Sequence, residues 1–92
     1  MKSYEVFPST RFRKDLKLAK KRGLNLELLT EIIKKLSNGE LLPEKHEDHE
    51  LTGKFSGFRE CHIQPDWLLV WEQNDTIRLI TLTRTGTHSD LF

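Results

Sequence analysis

The sequence predicts an α+β fold, β-α-α-β-β-β, with a helical hairpin packed on a small, mainly antiparallel sheet. Three observations predict it. Apolar residues recur at helical spacing between Thr10 and Leu36, and the period changes to two after about Ser56. The two helical stretches are separated only by Gly23 to Asn25, a tight reversal that makes them neighbours in an antiparallel pair.

Each element has a local reason. Tyr4 to Phe7 reads as a short strand ended by Pro8. Ser9 or Thr10 caps a helix running to about Arg22, which Gly23 stops. Phe12, Leu16 and Ala19 form its apolar face, and Arg13, Lys14, Lys17, Lys20 and Lys21 make a basic stripe on the other. Asn25 caps a second helix with Leu29, Ile32, Ile33 and Leu36 facing the core, and Asn38-Gly39 ends it. A polar loop with Pro43 and an acidic cluster follows, from Glu40 to about Ser56. Phe58 to Ile63, Trp67 to Gln73 and Thr76 to Thr85 read as strands joined by turns at Gln64-Pro65 and Asn74-Asp75. Both faces of the middle strand are apolar, which places it centrally.

Composition bounds what such a chain does. Its 92 residues suit a single domain spanning 1–92, and 36% hydrophobic with 32% charged residues describes a soluble globular chain. The longest apolar run, Trp67 to Trp71, is far short of the roughly 18 residues a membrane span needs, so no membrane partner is expected. The first residues show no apolar stretch of signal-peptide length. The lone Cys61 excludes an internal disulfide and suits a reducing cytoplasm. Residues 1–36 carry ten Lys and Arg against four acids, and the other 56 carry five against ten. A basic front segment points to a polyanion, either nucleic acid or an acidic protein segment.

The strand pattern gathers chemistry at one rim. With a turn at Gln64-Pro65, His62 falls almost opposite Trp67 and Asp66 beside it, and the last strand returns Arg84 and then His88 to that rim. Two imidazoles, a carboxylate and a guanidinium suit RNA transesterification. A base takes the ribose 2′-hydroxyl proton, an acid protonates the leaving 5′-oxygen, and arginine holds the phosphoryl oxygens. Histidine serves either proton-transfer role near pH 7. Trp67 is a candidate to stack on an unpaired base, whereas Trp71 reads as core. A metal is not expected: His46 and His49 have H-x-x-H spacing, but Cys61 and His62 point to opposite strand faces. No other cofactor is implied.

Three segments in order carry a resemblance. They are Asp48-His49-Glu50-Leu51-Thr52-Gly53-Lys54, the run from Gly57 through His62 and Asp66-Trp67 to Val70, and Arg84-Thr85-Gly86-Thr87-His88-Ser89-Asp90-Leu91-Phe92. Together they resemble the YafQ-type branch of the RelE/ParE toxin superfamily of bacterial type II toxin–antitoxin modules, over nearly the whole chain. The resemblance implies a RelE-like fold and a ribosome-dependent endonuclease that cuts mRNA in the A site. It also implies a cognate antitoxin partner, with operator DNA bound only through the toxin–antitoxin complex. The family's functional histidines fall on His49, His62 and His88 and its acid on Asp66, while its aromatic and cationic positions fall on Trp67, Phe92 and Arg84. Which imidazole is base and which is acid stays open. Lys17, Lys20 and Lys21 are expected to meet RNA. Two other functions fit the same fold: a ParE-like toxin that binds DNA gyrase, and a non-catalytic RNA-binding module. Neither has a use for the histidine set.

Overall fold

The computed structural model describes residues 3–92, so Lys2, counted in the basic front segment, lies outside them. Strand β1 (Glu5–Pro8) is followed by helices α1 (Thr10–Lys21) and α2 (Leu26–Ser37). A loop with two single 3₁₀ turns carries the short strand β2 (His49–Glu50). Strands β3 (Phe58–Gln64), β4 (Trp67–Asn74) and β5 (Leu79–Gly86) and the one-turn helix α3 (His88–Leu91) complete the chain. The sheet order is β1-β5-β4-β3-β2, with β1 parallel to β5 and every other pairing antiparallel. The expected order of elements therefore holds, with β2 and α3 added. Pro8 is the last residue of β1 rather than the residue after it, which an edge strand tolerates.

The caps act as the sequence implies. Ser9 Oγ accepts from Phe12 N at 3.0 Å and donates to Thr83 O at 3.0 Å, tying the start of α1 to β5. Asn25 caps α2 through Glu27 N. Gly23 takes a positive φ of 76°, the left-handed value that ends α1. Phe12, Ala19, Leu29, Ile32 and Leu36 pack on one sheet face formed by Cys61, Ile63, Trp67, Leu69, Trp71, Ile80 and Leu82. Leu68 and Val70 point to the other face and are buried there as well, an apolar floor beneath the functional groups.

Three expectations need correction. Strand β5 begins at Leu79, not Thr76, because Asn74 Oδ1 accepts from Thr76 N and Ile77 N and curls the chain into a turn that Arg78 leaves at a φ of 57°. His62 pairs with Leu68 rather than standing opposite Trp67, because Ile63 is an extra residue bulged out between His62 and Gln64. Trp67 is 2% exposed, and its indole Nε1 donates to Thr85 Oγ1 at 2.9 Å in the core. It presents no face to a base, so the stacking role expected of it is ruled out. Trp71 is core, as read.

Candidate active site

Strand register aligns the functional groups on the sheet face turned away from the helices. Directly opposed residues share a face, and His49 pairs with Glu60, Glu60 with Val70, and Val70 with Arg84. The adjacent row on the same face runs from His62 through Leu68 to Gly86, after which Thr87 caps α3 and delivers His88. Thr83 is an extra residue in β5, and this second bulge keeps Arg84 on the face of Val70 while Thr85 turns inward to Trp67.

The contacts form a connected chain. His88 Nδ1 donates to Asp66 Oδ1 at 2.7 Å, and the His88 amide donates to the same oxygen at 3.1 Å. Asp66 sits in the two-residue turn between β3 and β4, so one hairpin carboxylate orients both ring and backbone of His88. The His62 and His88 rings meet edge to face, 5.6 Å between centroids. His62 Nδ1 lies 3.1 Å from Glu47 Oε2, and its Nε2 lies 3.8 Å from Glu60 Oε1. His49 Nε2 approaches Glu60 Oε1 from the other side at 3.6 Å. Three imidazoles and three carboxylates thus share one surface.

Hydrogen-bond partners fix two tautomers. His49 Nδ1 lies 2.6 Å from the Glu47 carbonyl, an acceptor only, so Nδ1 carries the proton and the neutral ring keeps its lone pair on Nε2. His88 Nδ1 is likewise committed as a donor to Asp66, leaving Nε2 as the exchangeable position. Hydrogen bonding to His88 lowers the Asp66 carboxyl below its ordinary value. His46 donates from Nδ1 to the His62 carbonyl at 2.6 Å and pins the loop to β3. Cys61 is fully buried, and burial pushes its thiol up to about 12, so it is no nucleophile at neutral pH.

Arg84 does not turn to His62 and Asp66 as expected. Its Nε and Nη2 donate to Asp15 on α1 at 2.7 and 3.2 Å, because Asp15 covers the edge of β5 where β1 stops, also accepting from Thr85 N. Phe92 is 56% exposed and meets Phe55 edge to face at 5.3 Å. Lys17, Lys20 and Lys21 are exposed on α1, around the half-exposed Leu18. Glu60, Glu47, Asp15 and Phe55 escaped the sequence reading. Only Glu60 left a usable signal there, an acidic residue two positions from His62 on one strand and therefore on the same face.

Two carboxylates hold α3, which gives the site an acid limit. The Arg22 guanidinium, 2.6 Å away, holds the Asp90 carboxyl well below the usual carboxylate range, helped by the Thr87 amide. Asp66 is lowered by His88. Both groups titrate lower in the folded chain, so their stabilisation is present above about pH 4 and is lost as pH falls through the folded values. On acidification from pH 5, amides of residues 87–91 are expected to lose exchange protection before those of Ile80 and Leu82. Simultaneous loss in turn and sheet would contradict this.

Comparisons with known proteins identify the family to which this fold belongs. The family model for YafQ, a bacterial toxin of type II toxin-antitoxin systems, matches residues 4–92. The mRNA interferase toxin YafQ of Escherichia coli strain K12 is 40% identical over 85 residues, covering 91% of this chain and 90% of that protein. The crystal structure of the E. coli DinJ–YafQ toxin–antitoxin complex superposes with a TM-score of 0.89 at 36% identity, covering 98% of both chains. A metal-bound toxin from Helicobacter pylori superposes at 0.90 with 39% identity, covering 97% of this chain and 99% of that one. Fold and site together define a small α+β protein with three imidazoles and three carboxylates gathered on one sheet face. The chain belongs to the YafQ family of bacterial type II toxins.

Proposed function

We propose that this chain is an endoribonuclease that cuts messenger RNA in the ribosomal A site by metal-independent transesterification, halting translation in the cytoplasm. The observation that carries this reading is the grouping of His49, His62 and His88 with Asp66 and Glu60 on one sheet face of a YafQ-family toxin. A toxin that works by binding gyrase, or a passive RNA-binding module, has no use for that grouping.

Each group then has a role. His49 Nε2, with its lone pair set by the Glu47 carbonyl, or His62 beside it takes the 2′-hydroxyl proton. The 2′-oxygen attacks phosphorus, and His88 Nε2 gives its proton to the departing 5′-oxygen while Asp66 holds the ring. Glu60 lies between His49 and His62 and stabilises whichever is charged. Arg84 has its Nε and Nη2 on Asp15, which leaves Nη1 for a phosphoryl oxygen. Phe92, backed by Phe55, replaces Trp67 as the stacking surface for an unpaired base. Lys17, Lys20 and Lys21 meet ribosomal RNA phosphates and set the register of the enzyme. An antitoxin with an acidic, amphipathic segment suits this basic surface, and operator DNA is reached only through that complex.

The test is to map 3′-termini of cellular mRNA shortly after induction. Cuts confined to translated frames at one codon position support both cleavage and ribosome dependence, whereas unbroken messages in arrested cells favour the gyrase reading. On purified programmed ribosomes, with Mg²⁺ kept in excess over EDTA, the rate is expected to stay unchanged. A loss that transition metal restores overturns metal independence.

A further inference from the structure

We infer that Arg22 and Asp90 form a latch that positions His88 for proton transfer, an inference that rests on the proposed function. His88 is the first residue of a four-residue helix, far too short to hold a side chain in place by its own hydrogen bonds. Asp66 restrains it from the β3–β4 turn. The second restraint comes from the opposite end of the same short turn. Arg22, which ends α1, donates from Nη1 to Asp90 Oδ2 at 2.6 Å and from Nη2 to Oδ1 at 3.2 Å, a two-pronged pair.

Asp90 is also built into the turn. Its Oδ2 accepts from Thr87 N at 2.9 Å, and its own amide donates to Thr87 Oγ1 at 3.1 Å, so the residues on either side of His88 are locked reciprocally. A Cβ on Gly86 would come within 2.9 Å of Asp90 Oδ2, so the carboxylate lies directly over the end of β5. That end of β5 is in register with Leu68 and His62. The guanidinium of α1 therefore fixes, through one carboxylate, how α3 leaves the sheet beside the His62 ring. The side-chain hydrogen bonds of Arg22 and Asp90 go to each other and to Thr87, not to the rings of His62 or His88, and they are positioning residues.

Asp90→Asn isolates the latch. The amide oxygen can still accept from Thr87 N, so the cap survives, while the charge pairing with Arg22 is removed. Single-turnover cleavage on saturating programmed ribosomes is expected to slow by about tenfold to a hundredfold, because small misplacements of a reacting group cost that much. The ribosome concentration giving half the maximal rate should change by less than about twofold, since no RNA contact is lost. The His88 amide should exchange faster while the Trp71 and Ile80 amides do not. Arg22→Lys should recover part of the rate lost in Arg22→Ala.

If Arg22 is instead only a member of the basic α1 face, Asp90→Asn frees it, tightens ribosome binding and leaves the cleavage step unslowed. That outcome overturns the latch. A wild-type chain that cuts no ribosome-bound message overturns the proposed function instead, and amide exchange at His88 then still reports whether Asp90 holds the turn.

Discussion

Replacing His88 with alanine is expected to lower single-turnover cleavage of ribosome-bound message by about 10²- to 10⁴-fold, the usual cost of losing one proton-transfer group. The His88 side chain is half exposed and is hydrogen-bonded at Nδ1 to an exposed carboxylate, so its removal opens no core cavity. The abandoned Asp66 carboxylate is exposed as well and is rehydrated by water. Melting temperature and ribosome binding should therefore stay close to those of the parent, and growth arrest on induction should be relieved. His88 is the group to test first because its geometry is the most fully specified of the three imidazoles. Its ring nitrogen and its amide share one acceptor oxygen, and the neighbouring ring of His62 bounds its rotation. A variant that folds, binds ribosomes and cleaves within about threefold of the parent would show that His88 is not the proton donor.

Much of this site is legible in sequence because its parts obey local rules. Ser9, Gly23 and Asn25 announce their caps and stops, and the alternation after Ser56 orients the strands. Counting residues back through a hairpin brings His62, Asp66 and His88 together, and the structure groups them at one rim. What stays hidden is tertiary. The bulge at Ile63 shifts register by one residue with no local signal to announce it. A strand that is apolar on both faces does not reveal that Trp67 finds an indole acceptor in Thr85, eighteen residues on. Arg84 is drawn to Asp15 because β1 stops short and leaves a β5 amide for α1 to cover, a fact of strand length rather than of pattern. Strand β2 is two residues long, too short to show any period, so His49 reads as loop although it faces Glu60 across a ladder. Glu60 is the clearest case, since its meaning depends on His49 arriving from another strand.

The last expectation concerns the nucleophile itself. A message with a single 2′-deoxy substitution at the scissile nucleotide should not be cut at that bond at all. In the proposed mechanism His49, with its lone pair on Nε2, or His62 beside it takes the proton from the RNA hydroxyl. In the same mechanism His88, which stands apart on α3, serves the leaving oxygen, so attack and departure are served from different elements. That division fits in-line displacement by an internal 2′-oxygen, which yields a 2′,3′-cyclic phosphate and a free 5′-hydroxyl. Removing the 2′-oxygen deletes the nucleophile, whereas losing any single protein group only weakens its activation. The loss should therefore exceed that of His88→Ala and reach the detection limit. The same substitution one nucleotide away leaves the nucleophile in place and should leave cleavage within a few-fold of the unmodified message. End-group analysis of the products from unmodified message provides the matching positive result. If the substituted message is still cut at the same bond, water is the nucleophile, and the two imidazoles beside Glu60 must be activating it instead.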